Sequence, residues 1–196
     1  MNKPECIIVH HTAVSYAKNA DQYEATKRYH IGKGWGNIGY HYEISKAGKV
    51  YAGRAESEVG AHCKEKSLNY KSIGVCLDGN FDVELPTAEQ VKSLKKLLMD
   101  ICARYKIGYD KIYPHRLFAT YKSCYGSKLS DKWASNIAKC QKVTNPNDLK
   151  ELKEEYLVRV GKDIYSTLKK LTTPAELAGL KEDQLVRIGK SIYRKL

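Results

Sequence analysis

Ile7-Ile8-Val9-His10-His11-Thr12 near the start, and Pro114-His115-Arg116 … Lys122-Ser123-Cys124 far along the chain, decide how this sequence is read. The first is an apolar, β-branched run ending in histidine, the pattern of a buried strand that delivers an imidazole to its end. Neighbouring strand residues point to opposite faces, so His10 and His11 cannot both serve one site. The second stretch sets His115 and Cys124 nine positions apart, with Lys122 two before the cysteine. Two histidines and one thiolate make a three-ligand zinc set, which leaves the fourth tetrahedral position open for water. A cysteine hydrolase with Cys124 as nucleophile and His115 as base is the rival reading. The extra histidine at the end of a buried strand favours metal.

Working outward, residues 6–11 form a strand and 21–33 a helix broken by Gly32 to Gly36. Residues 39–45 alternate like a strand, Lys46-Ala47-Gly48-Lys49 turns, and Val50-Tyr51-Ala52 returns. A long polar loop over 53–72 carries His62 and Asn69; loops of that length in compact domains are often functional. Ile73-Gly74-Val75-Cys76-Leu77 is nearly continuous in apolar character, as in a central strand covered on both faces. Thr87 and Gln90 form a capping box ahead of Val91, Leu94, Leu98 and Ile101, so a helix starts there, ending at Gly108. A further helix is predicted over 130–142. The fold class is therefore α/β: a mixed central sheet of about five strands flanked by helices.

At residue 143 the style changes to leucine, lysine and glutamate, and a repeat appears. Leu149-x-x-Leu152-Lys153-Glu154 … Leu157-Val158-Arg159-Val160-Gly161-Lys162 recurs 28 residues later, as Leu177-x-x-Leu180-Lys181-Glu182 … Leu185-Val186-Arg187-Ile188-Gly189-Lys190. Pro146 and Pro174 precede the two copies, a favoured way into a helix. The expected organisation is a catalytic domain over 1–142 and a small all-α repeat module over 143–196, whose copies are too short to bury their apolar faces alone.

The formal charge is +12. The tail carries eleven basic and eight acidic side chains, so the first 142 residues hold +9 of it. Such a surface favours anionic partners, but neither an arginine-rich run nor a nucleic-acid motif accompanies it, and no nucleic-acid partner is expected. No apolar run approaches membrane-spanning length, and Met1-Asn2-Lys3-Pro4-Glu5 lacks the apolar core of a signal peptide. Synthesis in the cytoplasm with reduced cysteines is the expectation. Cys6, Cys63 and Cys140 are assigned no chemistry, and His30 is read as plain surface or core.

Taken in order, Ile-Ile-Val-His-His-Thr-Ala, Gly-Trp-Gly-Asn-Ile-Gly-Tyr-His-Tyr, Ala-Gly-Arg … Val-Gly-Ala-His, Asn-Tyr-Lys-Ser-Ile-Gly-Val-Cys-Leu and Pro-His-Arg … Lys-Ser-Cys resemble the type-2 zinc amidases. These are N-acetylmuramoyl-L-alanine amidases, a family that includes phage endolysins and peptidoglycan recognition proteins. The resemblance covers residues 6 to about 140 and implies Zn2+ as cofactor and peptidoglycan as substrate. It assigns His10, rather than His11, together with His115 and Cys124 as zinc ligands. It gives Tyr40 and Lys122 as catalytic residues, and His62, Asn69 and Arg54 as lining of the substrate groove. The expectation is a monomeric endolysin made in a host cytoplasm, which acts on the wall after release, with the tail read first as a wall-binding module and alternatively as a packing or dimerisation element. Three departures stand out. Cys76 occupies a position where other members place a glutamate, the interval from His115 to Cys124 is one residue longer than in the phage branch, and Tyr125-Gly126 follows the cysteine. The alternative is a recognition protein that binds peptidoglycan without cutting it. Binders of this family lose the cysteine ligand, and Cys124 is present.

Overall fold

Cys6–His11 forms strand β1, and all six of its residues are buried. That burial is why an apolar run, rather than an alternating one, marks it in the sequence. The computed structural model describes residues 1–15 and 22–139. The other strands are β2 (Tyr42–Ile44), β3 (Val50–Ala52), β4 (Ser72–Leu77) and β5 (Ile112–Pro114). They make one mixed sheet in the order β3-β2-β4-β1-β5. β1 runs parallel to both β4 and β5, β2 runs parallel to β4, and only the β2–β3 hairpin is antiparallel. β5 lies at an edge, where Pro114 leaves no ladder bond unmade.

Alternation along β1 divides its side chains between two faces. Ile7 and Val9 join Ile73, Val75 and Leu77 of β4 in the main core. That core packs on helix α2 (Ala88–Tyr105) through Leu94, Leu98 and Ile101, and on helix α3 (Trp133–Lys139) through Trp133, Ala134 and Ile137. Burying each leucine or isoleucine among these contributes about 1.5–3 kcal/mol. Ile8 faces the other way and packs with Cys6, Cys63 and Leu68. His10 follows Ile8 to that second face. Helix α1 (Tyr23–Gly32) falls within the predicted 21–33.

The capping box is formed: the Thr87 hydroxyl accepts from Gln90 N at 3.1 Å, and Thr87 N donates to the Gln90 side-chain oxygen Oε1 at 3.1 Å. Three predicted boundaries are corrected. α2 ends at Tyr105 rather than Gly108, because Lys106 adopts a left-handed conformation (φ 54°) and Ile107 N turns back to Cys102 O at 3.0 Å. The strand predicted from residue 39 begins at Tyr42, because the Gly39 amide leaves the ladder to donate to His30 Nδ1 at 3.1 Å. α3 begins at Trp133 rather than 130: the Ser130 carbonyl accepts the Trp133 amide at 3.0 Å in a tight turn, and the carbonyls of Ser130 and Asp131 also accept the Tyr125 hydroxyl. The repeat module predicted over 143–196 lies outside the described residues.

Candidate metal centre

β1 and β5 are parallel neighbours, so their C-terminal ends share one edge of the sheet. His10 lies near the end of β1, and His115 follows β5 directly. Cys124 reaches the same place on a loop held by Arg116. The guanidinium of Arg116 donates to the carbonyls of Gly126 (2.7 Å), Leu129 (2.6 Å) and Ser123 (3.2 Å) and pairs with Asp131 at 2.7 Å. Gly126, at φ 111°, lies against Phe81 so closely that a Cβ there would come within 2.3 Å of it. A side chain at 126 would therefore push this loop away from Phe81.

The ligand atoms of His10, His115 and Cys124 lie within 4.8 Å of one another. The residues are 1%, 4% and 9% exposed, so the cluster is out of bulk water. Cys124 Sγ is 3.6 Å from His10 Nδ1. A tetrahedral zinc with bonds of about 2.3 Å to sulfur and about 2.0–2.1 Å to nitrogen has a sulfur–nitrogen edge of about 3.6 Å. The donors therefore fit a zinc ion. The other ring nitrogen of His10, Nε2, is 3.1 Å from His62 Nδ1, a partner that orients the ring.

Electrostatics agree with a site built to receive a cation. Burial drives the pKa of His10 well below its usual value, and the neighbouring His115, His62 and Lys122 add to this. Burial and then Lys122 bring His115 down to about 4. Both imidazoles are therefore neutral, as ligands must be. Burial pushes the Cys124 thiol up to about 12, against the opposing pull of the His11 amide, Lys122 and Arg116. A nucleophilic cysteine needs a lowered pKa, so these surroundings disfavour the cysteine-hydrolase reading.

The remaining predicted residues fall in different places. The Tyr40 ring packs on His10, with centroids 5.1 Å apart. Burial first, then the nearby Cys76 and Cys124, raises its phenol well above the usual range, so it stays protonated. Lys122 is exposed at the rim, and its charge reaches His10, His115 and Cys124. His62 is brought against His10, into space left by Gly60 and Gly74. Asn69 Oδ1 accepts the amides of His62 (2.9 Å) and Cys63 (2.8 Å), and so fixes the loop that carries His62. Arg54 is spent on the carbonyls of Ile38, Val59 and Trp35 at 2.8, 3.1 and 2.6 Å. His11 points to the opposite face from His10 and accepts the Phe81 amide at 3.0 Å. His41 accepts the Gly74 amide at 2.9 Å. His30 is buried and stacks on Trp35.

Two acidic residues had no role in the sequence reading. Glu43, fully buried on β2, is in register with Cys76, which is in register with His10 on its other side. Its charge bears on both Cys76 and Tyr40. An acid inside an alternating strand was the available signal. Glu65, on the loop after His62, lies 3.7 Å from His115 Nε2.

An α/β sheet that gathers two neutral imidazoles and a thiol at one edge, with a phenol beside them, offers the donor set that a mononuclear metal site requires. Residues 1–127 match the family described as N-acetylmuramoyl-L-alanine amidase, and the chain belongs to that family. It is 38% identical to the endolysin of Escherichia phage T7 over 138 residues, covering 67% of this chain and 87% of that one. It is 36% identical to peptidoglycan-recognition protein SC2 of Drosophila melanogaster over 116 residues, 56% of this chain and 61% of the other. Among solved structures it resembles the N-acetylmuramoyl-L-alanine amidase LysC from Clostridium intestinale URNW. That likeness has a TM-score of 0.62 and 28% identity, and covers 71% of this chain and 88% of that one.

Proposed function

We propose that the chain is a zinc-dependent endolysin-type amidase, which hydrolyses the amide between the lactyl group of N-acetylmuramic acid and L-alanine in peptidoglycan. The observation that carries this is the convergence of His10, His115 and Cys124 at the sheet edge, with sulfur and nitrogen separated as two ligands of one zinc. These three residues hold the ion. When bound, zinc supplies a Lewis acid for the scissile carbonyl and acidifies water near neutral pH. Lys122 stands at the rim to stabilise the oxyanion that forms as water adds to the carbonyl. Loss of one such donor costs about 2.7–4 kcal/mol. Tyr40, protonated and against His10, orients the attacking water and relays a proton to the alanine nitrogen as the C–N bond breaks. His62 holds the His10 ring, and Asn69 holds His62.

The +9 charge of the first 142 residues suits an anionic wall. The repeat over 143–196 acts as a wall-binding module that raises the effective concentration of enzyme at an insoluble substrate. The protein works as a monomer, made in the host cytoplasm and acting after release. A purified muramoyl peptide tests the bond assignment. Mass spectrometry should find free N-acetylmuramic acid and a peptide with a new amino-terminal L-alanine. Cleavage inside the peptide or between sugars would make the assignment wrong.

A further inference from the structure

The loop after His62 carries more than His62. Glu65 points its Oε2 at His115 Nε2 across 3.7 Å. That nitrogen is buried and has no hydrogen-bond partner among the described residues. The carboxylate is itself held in place: one oxygen accepts the Tyr121 hydroxyl at 2.8 Å, and the other lies 3.5 Å from the Cys63 thiol. Partial burial pushes its carboxyl up, but hydrogen bonds from its own amide, Tyr121 and Cys63 outweigh this and bring it down to about 2. Immediately after it, Lys66 (φ 51°) and Ser67 (φ 58°) are both left-handed, with no glycine to make that easy. Such a pair persists only where the surroundings hold the chain in place.

We propose that Glu65 is a positioning residue for the metal: its carboxylate accepts the Nε2–H of His115 and so turns Nδ1 of that ring to the ion. This rests on the reading of His115 as a zinc ligand. One loop, tied at Asn69, then supplies the outer partner of both imidazole ligands: His62 for His10, and Glu65 for His115. A histidine ligand binds best when its second nitrogen is engaged, because that fixes both tautomer and ring angle. Cys63 is the neighbour that makes another use conceivable, since its sulfur, a Glu65 oxygen and a His115 nitrogen also lie within 4.8 Å of one another. The closing experiment separates the two uses.

Zinc affinity of the full chain is measured by competition with a chromophoric chelator, for the wild type, Glu65→Ala, Glu65→Gln and Cys63→Ser. Nitrogen NMR of the imidazoles reports the tautomer. Wild type should bind one zinc per chain, with His115 protonated at Nε2. Glu65→Ala should bind about 10–100-fold more weakly. Glu65→Gln, which keeps an acceptor without the charge, should fall between. Cys63→Ser should leave the stoichiometry at one. Equal affinity in wild type and both Glu65 variants, or a proton on Nδ1 of His115, would overturn the proposal while leaving the amidase reading intact. Two zinc ions in wild type, with one lost in Cys63→Ser, would overturn it by making Glu65 a ligand. A wild type that binds no zinc would bring down the metal reading itself, and this proposal with it.

Discussion

The state of the three ligands before metal arrives sets how many protons leave when it binds. At about pH 6, an imidazole with the ordinary value near 6.5 is about three-quarters protonated. Two such rings and a protonated thiol would together release about 2.5 protons per zinc. Here burial and then Lys122 hold His115 at about 4, and burial and then His115 hold His10 well below its usual value. Both rings are already neutral at about pH 6 and give up almost nothing. Cys124, pushed up to about 12, gives up one proton. Removing it at about pH 6 costs about 8 kcal/mol, which metal coordination must supply. Net release is therefore about one proton per zinc, and the logarithm of the affinity rises about one unit per pH unit in this range. Isothermal calorimetry at about pH 6, in buffers of different ionisation enthalpy, counts the protons. That pH lies below the range near 7 where zinc-bound water ionises and adds its own. A count near 2.5 would refute the neutral imidazoles, and a count near zero would refute the protonated thiol.

Four further outcomes follow. The metal-free protein should lose stability as pH falls from 6.5 towards 4, because the lowered pKa of buried His115 means the native state resists a proton that the unfolded chain accepts. His115 alone accounts for about 3 kcal/mol of that loss, readable by urea unfolding at the two ends of the range. Tyr40→Phe should cut turnover and leave zinc bound; unchanged turnover would remove the phenol from the mechanism. Lys122→Met should lower kcat by about 10²–10³, and an effect confined to KM would make Lys122 a binding residue only. Gly74→Ala would place a Cβ 2.5–2.7 Å from three atoms of the His62 ring. It should weaken zinc binding about 10–100-fold by freeing His10 Nε2, and chelator competition that finds no change would mean His62 does not orient His10.

What was legible in the sequence was what periodicity and local chemistry control. The apolar run of β1, the Thr87–Gln90 capping box and the Lys46–Lys49 hairpin each carry their signal within a few residues, and each formed. Boundaries failed where a distant partner decided them. The strand before Tyr42 yields to a bond between Gly39 and His30, and α2 stops short of Gly108 because Lys106 can turn left-handed. The roles of Tyr40, His62, Lys122, Asn69 and Arg54 came from the family resemblance, and their surroundings were not readable. Nothing in the sequence said that the Arg54 guanidinium would be used up on three carbonyls, or that Asn69 would act through the backbone of His62. Glu43 and Glu65 were missed for one reason. The role of an acid such as buried Glu43 or half-buried Glu65 is set by what lies across the sheet or loop from it, and those neighbours come from far along the chain.

The most direct test is digestion of purified peptidoglycan by the intact protein, before and after stripping with a chelator, and again with zinc restored, alongside Cys124→Ser. Stem peptides beginning in L-alanine should appear, vanish on stripping, return with zinc, and be absent for Cys124→Ser. Undiminished release by the stripped protein would contradict a metal centre at His10, His115 and Cys124. Retention on the wall without release by zinc-loaded protein would mean a binder rather than an amidase.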